Sequence, residues 1–163
     1  MHIKRLIVIS LCIFTIVMKF DFAISAGQDE RSESFRVAIQ AGNEDQVKQL
    51  LQEGVDANIE YHDASQPLFY AILNHNSAII DLLLGAGADV NYGYHYVAVT
   101  PLMIALDNKD IELACILITA GADIDASDAW GKSVFDRVRE LGSQDMIDLI
   151  YKVAAQSQRY ILK

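Results

Sequence analysis

Apolar residues recur at helical spacing in short blocks along most of the chain. In three blocks an apolar residue is followed three and four positions later by two more, which places all three on one helix face. The blocks are Val47, Leu50 and Leu51; Ile80, Leu83 and Leu84; and Ala114, Leu117 and Ile118. The pattern predicts a series of short helices, each with one buried face.

The blocks belong to an internal repeat. Gly54, Gly87 and Gly121 each follow an apolar block, and the two intervals between them differ by a single position. A glycine at that place suits the left-handed residue that ends a helix. A second element keeps the same spacing, because Gln66-Pro67-Leu68 recurs as Thr100-Pro101-Leu102. Each repeat is therefore predicted to contain two helices, the first of which begins near the proline.

Helix-capping residues agree with this register. Thr100 is predicted to cap a helix whose first residue is Pro101. Four residues that are good N-caps fall at one position of the repeat, where each would start the second helix: Asn43, Asn76, Asp110 and Ser143. Small residues recur where two helices must approach closely, at Ala38, Ala71 and Ala105. Local signals that agree with one another support a single register.

A period near 33 with a Thr-Pro-Leu-x-x-Ala start resembles the ankyrin repeat. The resemblance covers residues 33–155 and implies an all-α repeat solenoid of stacked helix-turn-helix units with β-hairpin finger loops. The four implied units span about residues 33–60, 61–93, 94–127 and 128–155, between an N-terminal tail (27–32) and a C-terminal tail (156–163). The end units depart from the pattern, as terminal repeats do when they present a polar outer face. The first lacks the Thr-Pro start, and in the fourth Ser133 and Val134 replace Thr and Pro.

The N-terminal segment, from Met1 to Ala26, differs in composition from the rest of the chain. Lys4 and Arg5 precede an apolar run over residues 6–18, and Ile24-Ser25-Ala26 offers a small residue at the point of cleavage. A run of this length is short for a membrane span but fits the apolar region of a secretory signal. We predict cleavage after Ala26, with Ala23 as a second choice, and a periplasmic or secreted protein. The alternative is an uncleaved signal anchor.

The acidic charge of the chain limits the classes of partner that it can bind, and its cysteine content indicates the role of Cys115. The chain carries 13 basic and 22 acidic residues. Removal of residues 1–26 would leave 10 and 21, a formal charge of −11. Nucleic acid and anionic membranes are disfavoured, since both require basic patches. Cys115 would be the one cysteine left and is predicted to be a packing residue.

The resemblance implies that most matched residues support the fold, and that binding uses the finger tips and the exposed face of the first helices. The tips are predicted at residues 58–65, 91–99 and 125–132, and the second carries one extra residue. Aromatic residues are enriched at binding hot spots. Candidate contacts at the tips are Tyr61, His62, Tyr92, Tyr94, His95, Tyr96 and Trp130. The alternative is that these aromatic residues pack between fingers and stiffen the hairpins.

The exposed face of the first helices offers a second set of candidate contacts. These residues are Leu73, Asn74, Asp107, Asn108 and Glu140, and the alternative is that they are only solvated.

The sequence contains no recognisable catalytic set, and we expect neither an enzyme nor a cofactor. The histidines that follow the predicted signal, His62, His75 and His95, have no zinc-ligand spacing. His62 and His95 are separated by one repeat period and would be on neighbouring fingers, which leaves a metal-dependent hydrolase as a remote alternative.

Four functions follow as hypotheses. The first is an exported protein-binding module that protects, assembles or inhibits a partner protein. The second is an immunity protein that neutralises a toxin in the same compartment. The third is a secreted effector that binds host proteins, and the fourth is the metal-dependent hydrolase. In the first three the partner is another protein, with no nucleic acid and no membrane after signal cleavage, and the chain alone is expected to be monomeric.

Overall fold

The computed structural model describes residues 30–161, without the side chains of His95 and of residues 154–161. The predicted signal segment, residues 1–26, lies outside the described residues. The helices are α1 (residues 30–40), α2 (Glu44–Gln52), α3 (Pro67–Leu73), α4 (Ser77–Gly85), α5 (Pro101–Asp107), α6 (Ile111–Thr119), α7 (Val134–Leu141) and α8 (Gln144–Ile161). This is the all-α repeat solenoid that the sequence predicts.

Successive helices pack within pairs and between pairs. α3 contacts α4, α5 contacts α6, and α7 contacts α8, while the contacts α2–α4, α3–α5 and α5–α7 join neighbouring pairs. Ala38, Ala71 and Ala105 are almost fully buried, as the need for close helix approach predicts. One continuous apolar core therefore runs through the stack from Phe35 to Ile150.

Side chains cap the helices where the sequence predicts. Asn43, Asn76, Asp110 and Ser143 each accept a hydrogen bond from the backbone amide three residues further on. Thr100 does the same at the start of α5. Each bond satisfies an amide that the first helical turn leaves without a partner. The caps therefore fix where the helices begin.

Each helix pair turns through one residue in the left-handed conformation. At this position φ is +68° for Gly42, +52° for His75, +59° for Lys109 and +68° for Gly142. A side chain there is costly, because its Cβ crowds the following carbonyl oxygen. The two central turns therefore carry strain that the two glycine turns avoid.

We expect Lys109→Gly to raise the free energy of unfolding by about 0.5–1 kcal/mol, since relief of the left-handed strain exceeds the added flexibility of the unfolded chain. Gly142→Ala should lower it by a similar amount. Open space surrounds Gly142, so its φ of +68° alone causes that loss. Urea denaturation of the two variants measures both changes in the free energy of unfolding. A stability loss in Lys109→Gly would contradict the strain argument.

The fingers close with few backbone hydrogen bonds. Within the described residues no β-strand forms, and the isolated antiparallel bridges are Tyr94–Val99 and Ser127–Ser133. The amides of Tyr61, Tyr94 and Asp128 donate to carbonyls four, five and four residues later. The second finger is thus one residue longer, as predicted, and a 3₁₀ turn at His95–Val97 accommodates that residue.

Within the described residues α8 is the longest helix, with 18 residues. It continues to Ile161, beyond the end of the predicted fourth unit at residue 155. Within residues 30–161, no helix combines the length and the apolar character that crossing a membrane requires.

Candidate functional site: the finger edge

Two asparagines join consecutive fingers. Asn58 donates to the Gly87 carbonyl over 2.9 Å and accepts from the Asp89 amide over 2.6 Å. Asn91 repeats the arrangement one unit later, with Gly121 at 3.3 Å and the Asp123 amide at 2.7 Å. The three fingers, 58–65, 91–99 and 125–132, are therefore held side by side. We call the surface that they form the finger edge.

Asn91→Ala should lower the free energy of unfolding by about 1–2 kcal/mol, because it leaves the Asp123 amide and the Gly121 carbonyl without their partner. Asn108→Ala, at an exposed asparagine beyond the end of α5, is the matched control, and its effect should stay within about 0.5 kcal/mol. Chemical denaturation measures both. Equal effects would show that the Asn91 bridge does not stabilise the stack.

The first finger is closed by its own side chains. Asp63 accepts hydrogen bonds from the amide and hydroxyl of Ser65 and, over 2.6 Å, from the Tyr70 hydroxyl. The Tyr61 ring meets Tyr70 edge-on at 5.8 Å, and its buried hydroxyl has no hydrogen-bond partner. Burial raises the pKa of Tyr61. Tyr61 thus packs against α3, while His62 is exposed.

Aromatic packing continues into the second finger. The Tyr94 ring stacks on Phe69 of α3, with centroids 4.3 Å apart and planes 4° from parallel. The Tyr92 hydroxyl donates to the Ala64 carbonyl of the first finger at 3.5 Å, and burial raises its pKa. Among the predicted contacts, Tyr61, Tyr92 and Tyr94 therefore take part in packing within the protein.

Tyr96 and Trp130 are different, because they project from the finger edge. Their exposed fractions are 90% and 75%. The Ala129 amide donates to the Val97 carbonyl over 3.0 Å, and this bond joins the residues next to the two aromatic side chains. Their Cα atoms consequently lie within about 15 Å of each other. The structure therefore places two large, exposed aromatic side chains on adjacent fingertips.

A buried ion pair holds the loop that carries Trp130. The guanidinium of Arg137, a residue only 5% exposed, donates to Asp128 over 2.7 Å. The other carboxylate oxygen of Asp128 accepts from the amides of Trp130 and Lys132 at 3.0 and 2.9 Å. The Arg137 guanidinium lowers the pKa of Asp128. The third fingertip is therefore fixed from within the stack.

Asp107, predicted as a contact on the helix face, is the second partner of Arg137. Both of its carboxylate oxygens accept from Arg137 Nε at 3.1 Å, although Asp107 remains half-exposed. Sequence reasoning missed Arg137. The sequence does indicate a buried arginine, because Arg137 lies three residues after buried Val134 on a helix face that is otherwise apolar.

The other helix-face candidates differ in surroundings. Leu73 is 48% exposed. Asn74 donates to the carbonyls of Ile39 and Gln40 at the end of α1, and Glu140 pairs with Lys132 over 2.7 Å. Asn108 follows the end of α5, where it is exposed. Leu73 and Asn108 thus join the exposed surface, whereas Asn74 and Glu140 have partners within the chain.

The start of α7, next to the third finger, is capped by a carboxylate, that of Asp136. Ser133 and Asp136 cap the helix reciprocally, and these hydrogen bonds lower the pKa of Asp136 to about 2. Because the folded pKa is depressed, the stabilisation is present above pH ~4 and is lost as pH falls towards 2. We expect Asp136→Asn to reduce the loss of unfolding temperature between pH 4 and 2. An unchanged slope would contradict this role for Asp136.

The described side chains offer no metal site. Nowhere among them do three His, Cys, Asp or Glu side chains cluster as a metal ion would need. His62 lies on the first finger, and of His95 only the backbone is described, in the 3₁₀ turn. Cys115 packs partly buried against the core as a thiol.

Comparison with known proteins matches this architecture. A family model described as ankyrin repeats, in three copies, matches residues 35–128. The chain is 29% identical to cyclin-dependent kinase 4 inhibitor B of Rattus norvegicus over 105 residues, 64% of this chain and 80% of that protein. It is 31% identical to the ankyrin repeat protein YahD of Escherichia coli (strain K12) over 97 residues, 60% and 48% of the two chains.

The similarity to cyclin-dependent kinase inhibitor 2A of Homo sapiens is lower, at 25% identity over 124 residues, 76% of this chain and 79% of that protein. Ankyrin repeats are protein-binding modules, typically non-catalytic. The family match spans more than half of the chain, and the chain therefore belongs to the ankyrin-repeat family.

Proposed function

We propose that this chain is an exported protein-binding module that docks a partner protein on its finger edge and protects, assembles or inhibits that partner. The observation that carries the proposal is the exposure of Tyr96 and Trp130 on adjacent fingertips. Large aromatic side chains bury much area at little cost in conformational entropy, which is why they dominate binding hot spots.

The rest of the finger edge supports docking by a preformed surface. The asparagine bridges fix the spacing of the fingers, and Arg137 and Asp128 fix the loop of Trp130. A surface that is already ordered loses little entropy on binding. The packed tyrosines, Tyr61 and Tyr94, anchor the first and second fingers to α3.

Export is part of the proposal and rests on the N-terminal segment that ends at Ala26. A basic start, an apolar run over residues 6–18 and the small residue Ala26 have the order of a secretory signal. Cell fractionation followed by mass spectrometry of the intact protein tests this. We expect a chain that begins at Gly27 in the periplasm or the medium. A full-length chain in the cytoplasm would contradict export.

Affinity capture from native extract tests the binding function. We would compare the wild-type chain, the double variant Tyr96→Ala Trp130→Ala, and Tyr151→Ala. Tyr151 is a matched control, because it is 63% exposed and lies on α8, where its ring packs against Phe135 instead of standing on a fingertip. We expect one protein to be retained by the wild-type chain and by Tyr151→Ala and to be lost with the double variant. Equal retention by all three would exclude the finger edge.

A further inference from the structure

We infer that the partner presents a basic surface, with an arginine side chain that stacks on Trp130. This inference rests on the proposed function, since it names the chemistry of the partner that the finger edge takes. The surface in question is the exposed aromatic pair, Tyr96 and Trp130, together with the exposed carboxylates in and at the base of the three fingers.

The charges of this region have one sign. From residue 49 to residue 131 the chain contains a single lysine or arginine, Lys109, and three histidines, His62, His75 and His95. Five carboxylates in or at the base of the fingers are exposed: Asp56, Glu60, Asp89, Asp123 and Asp125. The asparagine bridges hold the residues that carry them in consecutive repeats, so the fingers present a row of negative charge. A surface of one sign steers an oppositely charged partner towards it.

The lysine and arginine side chains near the fingers either lie at a distance or are paired with a carboxylate, as Arg36 is with Glu33. Lys109 lies at the turn beyond α5, and the seven residues of that helix separate it from the finger by about 10 Å. Lys132 at the end of the third finger pairs with Glu140, and Arg137 is buried against Asp128. These cations therefore do not offset the carboxylates of the finger edge.

The two exposed aromatic rings, like the carboxylates, attract cations. The face of an indole or phenol ring carries negative potential and attracts a guanidinium or ammonium group. Arginine also stacks on aromatic faces through its planar guanidinium, which lysine cannot do. With exposed carboxylates in and at the base of the fingers and two exposed rings at the tips, an arginine-bearing surface matches both features of the finger edge. A neutral partner would match the rings but not the carboxylates, and the carboxylates would repel an acidic partner.

Trp130 makes the inference directly testable, because it is the one tryptophan of the chain and reports on its own site. The probes are three synthetic peptides, (Arg-Gly)5, (Lys-Gly)5 and (Gln-Gly)5, titrated into the protein while Trp130 fluorescence is followed. We expect a saturable change with (Arg-Gly)5, half-saturated at about tenfold lower concentration than with (Lys-Gly)5. (Gln-Gly)5 should give no saturable change.

Two variants distinguish binding at the finger edge from nonspecific attraction of the peptide to the acidic protein. Tyr96→Ala keeps the fluorophore and should raise the half-saturating concentration of (Arg-Gly)5 by at least about fivefold. Tyr151→Ala should leave it unchanged. No response to (Arg-Gly)5 up to millimolar concentration, an equal response to (Gln-Gly)5, or a response that Tyr96→Ala does not alter would overturn the inference.

Failure here is distinguishable from failure of the proposed function. If the peptides fail while native extract still yields a protein that Tyr96→Ala Trp130→Ala loses, the finger edge binds a partner of different chemistry. If the double variant retains the same proteins as the wild-type chain, the proposed function itself is excluded.

Discussion

Replacing Tyr96 and Trp130 together with alanine should lower affinity for the partner by at least about 100-fold and leave the fold intact. Truncation of one central aromatic hot spot costs about 2 kcal/mol or more, which is roughly 30-fold in Kd, and neighbouring hot spots are not additive. Both side chains are mostly exposed, so their removal exposes little of the core. Isothermal titration calorimetry with the captured protein measures the loss.

The single variants and a stability measurement complete this prediction. Tyr96→Ala and Trp130→Ala should each weaken binding by about tenfold or more, while the thermal unfolding temperature of each changes by less than about 2 °C. Tyr151→Ala should change neither quantity. A double variant that binds within threefold of the wild-type chain would place the docking surface elsewhere, and the exposed helix-face residues Leu73 and Asn108 would become the better candidates.

Arg137→Met should destabilise the protein by about 3 kcal/mol and lower its unfolding temperature by about 10 °C. The substitution leaves Asp128 as a buried carboxylate without its cation and removes the donor to the Lys132 carbonyl. Removal of one partner of a buried pair costs more than the pair contributes, because a charge then stays in a poorly solvated place. Differential scanning calorimetry measures the change.

A second substitution shows how much of the stability loss comes from the unpaired Asp128 carboxylate and how much from the lost packing of Arg137. In the background of Arg137→Met, Asp128→Asn should recover part of the stability, since it removes the unpaired charge but keeps an acceptor for the Trp130 amide. We also expect Arg137→Met to weaken partner binding, because Asp128 fixes the loop of Trp130. An Arg137→Met variant as stable as the wild-type chain would show that the pair does not hold the third finger.

Sequence periodicity predicts the fold because each feature of an ankyrin unit is local. The caps at Asn43, Asn76 and Asp110 depend on residues within one turn, and the buried alanines depend on fixed spacing within a helix. The extra residue of the second finger was also visible in the spacing of the repeats. Its effect on the backbone, the 3₁₀ turn at His95–Val97, required the structure.

The candidate site could be predicted only in part, because exposure depends on contacts between units. Composition marks Tyr94, Tyr96 and Trp130 alike as aromatic residues in loops. Phe69 of α3 stacks on Tyr94, while Tyr96 projects outward, and no local pattern distinguishes the two. The bridges of Asn58 and Asn91 join positions in successive repeats, so they follow from stacking rather than from local sequence.

A site-specific photocrosslinking experiment in the native cells tests the central claim most directly. A photoreactive amino acid is placed at Tyr96, at Trp130 or at Tyr151 of the full chain, and adducts are identified by mass spectrometry after irradiation. We predict that positions 96 and 130 each give an adduct with the same protein and that position 151 gives none. Adducts with that protein from position 151 alone, or none from positions 96 and 130, would contradict binding at the finger edge.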